Sequence, residues 1–134
     1  MTQLQISYRI GPSVSNEELN ALFADAWGGP SERDFAPALG RSLVYICAYS
    51  DGELVGFVNV AWDGGVHAFV LDTAVRSDMR RQGIGRELVR RAAAAARAAG
   101  VQWLHVDYES RLEGFYRKCG FRPTAAGLIN LREE

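Results

Sequence analysis

The sequence predicts a single α/β domain: a mixed, mostly antiparallel central sheet flanked by about four helices. Three observations predict it. Apolar runs joined by Asp51-Gly52 and Asp63-Gly64-Gly65 form an antiparallel meander in the middle of the chain. Helical periodicity begins at Gly85, directly after the third run. Another apolar run follows that helix, so it lies parallel to the strand before it. A length of 134 residues fits one domain, 1–134, and leaves no room for a separate cofactor domain.

Each element has its own signal. Leu4 to Ile10 alternates with period 2 and reads as a strand. Ser15-Asn16-Glu17-Glu18 matches a capping box, and Leu19, Leu22, Phe23 and Ala26 follow at helical spacing. Gly28-Gly29-Pro30 stops that helix, and Ser31 is the expected cap of a second short one around Asp34 to Leu39. The meander strands run Leu43 to Tyr49, Glu53 to Trp62 and Val66 to Val75, with Phe57, Trp62 and Phe69 as core or half-buried sheet residues. Leu88, Val89, Ala92, Ala96 and Ala99 line one face of the long helix, whose alanines permit close approach to a sheet. Gly100 ends it. A strand over Val101 to Val106, a short helix over Leu112 to Lys118 stopped at Gly120, and a last strand over Gly127 to Leu131 complete the expected order.

Composition excludes several classes. Fifteen Lys+Arg against sixteen Asp+Glu lack the basic field of a nucleic-acid binder, so no nucleic-acid partner is expected. No apolar run approaches ~20 residues, so no membrane span is expected. Met1-Thr2-Gln3-Leu4-Gln5 has neither a basic nor an apolar leader region, which makes a cytoplasmic location the expectation. Cys47 and Cys119 lie far apart, without metal-ligand spacing, and read as free thiols in a reducing compartment. His67 and His105 read as structural strand residues, and no metal is expected.

The segment between the third meander strand and the long helix carries chemistry. A strand ends at Val75, a polar loop follows, and Arg80-x-x-Gly83-x-Gly85 opens a helix. Glycine there lets a ligand approach the main chain closely. The free N–H groups of the first helical turn carry the positive end of the helix dipole, so the segment forms an anion cradle suited to a pyrophosphate. Arg80, Arg81 and Arg86 add charge that can hydrogen-bond phosphate oxygens. The third glycine of a dinucleotide fingerprint and the Gly-Lys-Ser/Thr of a P-loop are both absent.

With this loop, the Thr73-Ala74-Val75 strand end before it and the downstream run Phe115-Tyr116-Arg117-Lys118-Cys119-Gly120-Phe121, the chain resembles the GNAT superfamily of acyl-CoA-dependent N-acyltransferases. The likeness spans roughly residues 43 to 121. It implies the acyl-CoA N-acyltransferase fold, with the sheet splayed between its fourth and fifth strands. It implies acetyl-CoA as cosubstrate and an N-acetyltransferase that moves the acetyl group directly from the thioester to a primary amine. The pyrophosphate would rest on the backbone amides of Arg81, Gln82, Gly83, Ile84, Gly85 and Arg86, with Arg80 beside them, and the pantetheine arm would pair with Ala74 and Val75.

The resemblance makes Tyr116, near the CoA sulfur, the general acid. Asp72, on the strand lining the thioester, is the candidate base or ammonium-binding carboxylate. Strict alternation turns Leu71 and Thr73 away from it. Asp107 and Glu109 follow the next strand and are candidate acceptor-site carboxylates. Trp27 is a candidate lining residue from the variable first helices. Glu109 stands where many members have Asn, seven residues before the tyrosine, so that cofactor contact departs from the family pattern. Arg86, Arg90 and Arg97 share a helix face expected to be solvated. Cys119, close to Tyr116, is not needed as an acyl carrier. A small cationic amine is the leading acceptor class, with protein or peptide amines open and a homodimer a family-level expectation. The alternatives are an acyl-CoA-binding sensor without turnover and a nucleic-acid binder using the helix arginines.

Overall fold

The computed structural model describes residues 5–133; Leu4, the expected start of the first strand, and the three residues before it lie outside them. The elements run β1 (Ser7–Ile10), α1 (Asn16–Trp27), α2 (Ala36–Leu39), β2 (Ser42–Ser50), β3 (Glu53–Trp62), β4 (His67–Val75), α3 (Ile84–Ala98), β5 (Trp103–His105) and α4 (Glu113–Lys118). The five strands lie side by side in chain order. Every neighbouring pair is antiparallel except β4 and β5, which are parallel because α3 crosses between them.

Local chemistry accounts for the boundaries. Ser15 and Glu18 form the capping box, with Ser15 Oγ accepting from the Glu18 N–H and Glu18 Oε1 accepting from the Ser15 N–H, both at 3.1 Å. Gly28, at φ 78°, ends α1. Asp51 and Gly52 both take positive φ, the geometry a two-residue hairpin turn needs. Both α3 and α4 end in a Schellman motif. In α3 the Gly100 N–H reaches Arg97 O and the Val101 N–H reaches Ala96 O; in α4 Gly120 and Phe121 repeat the pattern onto Arg117 and Tyr116.

Two layers of core sandwich the sheet. On one face α3 lays Ile84, Leu88 and Ala92 over Ile46, Val58, Val60 and Val70. On the other, α1 packs Leu19, Leu22 and Phe23 against Cys47 and Phe57, with Phe35 closing the edge. Each fully buried Leu or Phe contributes about 1.5–3 kcal/mol of burial free energy. Gly56 in β3 marks the closest approach: a Cβ there would lie 2.9 Å from Leu88 Cδ1 and 3.1 Å from Ile84 Cγ2. This packing fixes the start of α3 against the sheet.

The structure corrects several expectations. Ser31 does not cap α2; its hydroxyl donates to Asn20 Oδ1 at 2.6 Å, and Asp34 accepts from the Ala36 N–H instead. Of the three aromatics placed in the sheet, Phe57 is buried, whereas Trp62 and Phe69 are 36% and 41% exposed. The strand expected over Val101 to Val106 shrinks to Trp103–His105, because only His67 to Phe69 of β4 pairs with it. The last strand expected over Gly127 to Leu131 does not form. Asn130 turns the backbone there by accepting from the Arg132 N–H through its side chain. Leu128, Ile129 and Leu131 remain more than four-fifths exposed.

Candidate functional site

β4 and β5 part beyond the pair Phe69 and His105, while β4 continues to Val75. Residues 70–75 therefore keep β3 on one side and present an unpaired backbone edge on the other. The divergence opens a cleft of about 470 Å³. Asp72 and Thr73 from β4, Asp107 and Tyr108 from the segment after β5, and Tyr116 from α4 line it, with Trp27 of α1 at the wall.

The N-terminus of α3 stands beside the end of β4 and the start of α4, where Gly85 approaches Val75 and Phe115. Gly83 caps it at φ 80°, and Arg81 also takes positive φ, at 64°. Helix geometry leaves the first-turn N–H groups without intrahelical acceptors. Among the described residues, none of the N–H groups of Arg81 through Arg86 donates to another protein group. Gly85 has a different role: a Cβ there would sit 3.4 Å from Phe115 Cζ and 3.5 Å from Val75 Cγ2, so α3 starts in contact with both β4 and α4. The loop is anchored from α1. Asp25 accepts from the Ser77 N–H at 2.7 Å and from the Ser77 hydroxyl at 2.8 Å, contacts that hold its carboxyl below the usual carboxylate range. Arg80 donates to Ala26 O at 2.7 Å, so its guanidinium caps the end of α1. Arg90 is bound by Glu87 at 2.8 Å.

Tyr116 is buried at the inner wall of the cleft. The Tyr108 ring stacks on it at 5.0 Å, and Phe115 and Phe121 meet it edge-on. Burial pushes its phenol above the ordinary 10.0; the Thr73 hydroxyl pulls it down, while Cys119 and Asp107 push it further up. Burial likewise raises the Cys119 thiol, which keeps it protonated and a poor nucleophile.

Asp72 departs from the expected alternation. It has φ 56°, and the β3–β4 register shifts between Phe57 and Asn59, so a bulge sits there. The bulge brings Leu71 and Thr73 onto the cleft together with Asp72, which overturns the expectation that they face away. The Asp72 carboxylate meets the Arg33 guanidinium at 3.7 Å, and Arg33 lies over the Phe35 ring at 4.6 Å. Asp107 and Glu109 both line the cleft, although Glu109 is mostly exposed and pairs with Arg111 at 2.9 Å. Trp27 is half-exposed and packs on Phe23 at 4.3 Å.

His67 and His105 lie away from this cleft, ring nitrogens 3.1 Å apart, with Phe69 stacked on His105. Among the described residues no group of three or more His, Cys, Asp or Glu side chains is placed to hold a metal ion. None of the described helices is long and apolar enough to cross a membrane. Sequence reasoning missed Thr73, Tyr108 and Arg33. Thr73 and Arg33 carried no signal without the bulge; Tyr108 follows Asp107 directly and could have been found as an aromatic at the end of β5.

Comparison with known proteins agrees with this geometry. A chloroplastic serotonin N-acetyltransferase 2 from Oryza sativa subsp. japonica is 38% identical over 72 residues, 54% of this chain and 36% of that protein. The match thus spans about a third of the relative's length. A GNAT family acetyltransferase structure from Streptococcus pneumoniae superposes with a TM-score of 0.80 at 28% identity, covering 96% of this chain and all of the other. An aminoglycoside N-acetyltransferase in complex with CoA shares the fold, with a TM-score of 0.77 at 15% identity and coverage of 98% and 97%. The acetyltransferase (GNAT) family model matches residues 13–121. A sheet splayed between β4 and β5, a glycine-entered α3 and this match together place the chain in the GNAT acetyltransferase family.

Proposed function

We propose that the chain is an acetyl-CoA-dependent N-acetyltransferase that passes the acetyl group directly to a primary amine of a small cationic acceptor. The observation that carries this is the slot itself. Among the described residues the N–H groups from Arg81 to Arg86 have no protein acceptor, their helix start meets Val75 and Phe115, and Tyr116 and carboxylates line the cleft beside them. Both glycine-entered helix start and open β4 edge fit the cosubstrate: amides without acceptors suit a pyrophosphate, and residues 70–75 offer main chain for an extended arm. Acetyl-CoA supplies the activated acyl group.

The chain's own residues then have separable roles. Ala74 and Val75 orient the cosubstrate arm, and a backbone N–H near Val75 steadies the carbonyl oxygen. Tyr116, held protonated by burial, donates the proton that the departing sulfur needs. Asp72 and Asp107 hold the acceptor's ammonium group and pass its proton to water. Trp27 and Tyr108 give the acceptor an aromatic wall, and an aromatic face favours a cation beside it. The names of the relatives, serotonin and aminoglycoside N-acetyltransferases, support an amine acceptor of this kind. Free Cys47 and Cys119 suit a reducing compartment, in keeping with a cytoplasmic enzyme.

The test is a free-thiol release assay with acetyl-CoA across arylalkylamines, polyamines, aminoglycosides, amino acids and peptides. Release is expected with a small cationic amine and not with neutral peptides. Tight CoA binding with no release for any acceptor would replace this reading with a binding module.

A further inference from the structure

Thr73 opens the strand-end segment Thr73-Ala74-Val75 but has no role of its own in the family likeness, and its hydroxyl is in an unusual state. Thr73 Oγ1 is buried and has no hydrogen-bond partner. A buried hydroxyl is ordinarily paired, so an orphan in a cleft wall points to a partner acquired during function. The bulge at Asp72 is what brings this side chain to the cleft. Thr73 and Tyr116 line the same cleft, and the Thr73 hydroxyl pulls the phenol down.

We propose that Thr73 is the positioning residue for the Tyr116 proton: its hydroxyl donates to the phenol oxygen and stabilises the phenolate left when Tyr116 gives up its proton. This rests on the acetyltransferase reading. The groups around the phenol single out Thr73. Cys119, at the end of α4, and Asp107, after β5, both disfavour a phenolate, as does burial; Thr73 opposes them. Tyr108, Phe115 and Phe121 supply only ring contacts. Asp72, next to Thr73, is turned to Arg33.

The proton balance is simple. The Tyr116 O–H bond breaks, its proton forms the S–H bond of the departing thiol, and the electron pair stays on the phenolate oxygen. Thr73 keeps its own proton throughout and shares it in a hydrogen bond. The proton shed by the amine to water restores the phenol. Without Thr73, the rise that burial gives the phenol would go unopposed, and Tyr116 would be a weaker acid.

The test compares Thr73→Val and Thr73→Ala with Thr73→Ser. Protein labelled with 13C at tyrosine Cζ is titrated by NMR, with Tyr116 assigned from Tyr116→Phe. Folding of each variant is checked by thermal melting, and the alanine variant serves if valine does not fit. Loss of the hydroxyl is expected to raise the Tyr116 titration by about one unit or more, the size of a hydrogen bond to a charged group, with Ser restoring it. In turnover, kcat falls about tenfold in the hydroxyl-less variants, the KM for acetyl-CoA stays unchanged, and Ser restores kcat. An unmoved Tyr116 titration overturns the proposal even if turnover falls. A moved titration in a protein that releases no thiol with any acceptor overturns the role in transfer and strikes the acetyltransferase reading itself.

Discussion

Replacing Gly56 by alanine tests how the sheet and the start of α3 are joined. The added Cβ would meet Leu88 Cδ1 at 2.9 Å, Ile84 Cγ2 at 3.1 Å and Ala48 Cβ at 3.3 Å. Leu88 is fully buried and Ile84 nearly so, leaving them little room to rotate away. The two nearest neighbours, Leu88 and Ile84, sit on the first two turns of α3, so relief means lifting the helix start from β3. Overpacking of this kind costs about 1–3 kcal/mol. A chain of this length has an unfolding entropy of about 0.28 kcal/mol/K, so the melting temperature falls by about 4–11 °C. Because Ile84 begins the α3 turn whose N–H groups are the proposed anion cradle, affinity for CoA is expected to fall with it. Scanning calorimetry and CoA titration on Gly56→Ala measure both. Gly127→Ala is the control, since nothing lies within 4 Å of its added Cβ. A Gly56→Ala melting temperature and CoA affinity equal to the control's would refute the close packing of α3 on β3.

Two further outcomes follow from the same geometry. Gly83→Ala forces a side chain into φ 80° at the α3 entrance and is expected to cost about 1–2 kcal/mol, read in denaturant unfolding, with weaker CoA binding by calorimetry. The Cys47 thiol, fully buried beside Tyr49, is pushed by burial from 9.0 to about 12. Unfolded protein releases that proton near the ordinary value while folded protein keeps it. Stability therefore holds below about pH 9 and falls as pH rises towards about 12, at up to about 1.4 kcal/mol per unit for this group. Melting curves from pH 8 to 11 are expected to be flatter for Cys47→Ala; identical slopes would rule out the thiol as their source.

Much of this architecture is legible in the residues because local chemistry and global fold agree. Ser15 with Glu18, Asp51-Gly52, Gly100 and Gly120 each announce a cap or turn that the structure forms. The α3 stripe of Leu88, Ala92 and Ala96 faces the sheet as its period requires. The parts that escape reading depend on tertiary pairing. Val101 to Val106 is strand-like throughout, yet only Trp103 to His105 pair, because β4 parts from β5 beyond Phe69. Gly127 to Leu131 has strand-like residues and no edge to join. Asp72 in a left-handed backbone conformation is invisible to alternation, and with it Thr73 changes sides. Arg33 reaches Asp72 from a loop far away in sequence, a meeting that no spacing reports.

Acetyl transfer in this slot with Tyr116 as the proton donor is tested most sharply by Tyr116→Phe. The substitution keeps the ring that packs on Tyr108 and removes only the hydroxyl. The measurement is kcat for thiol release with the best acceptor alongside the Kd for CoA. The account predicts a fall in kcat of about 10²–10⁴-fold with the CoA Kd unchanged. A kcat within about twofold of the parent's would contradict it.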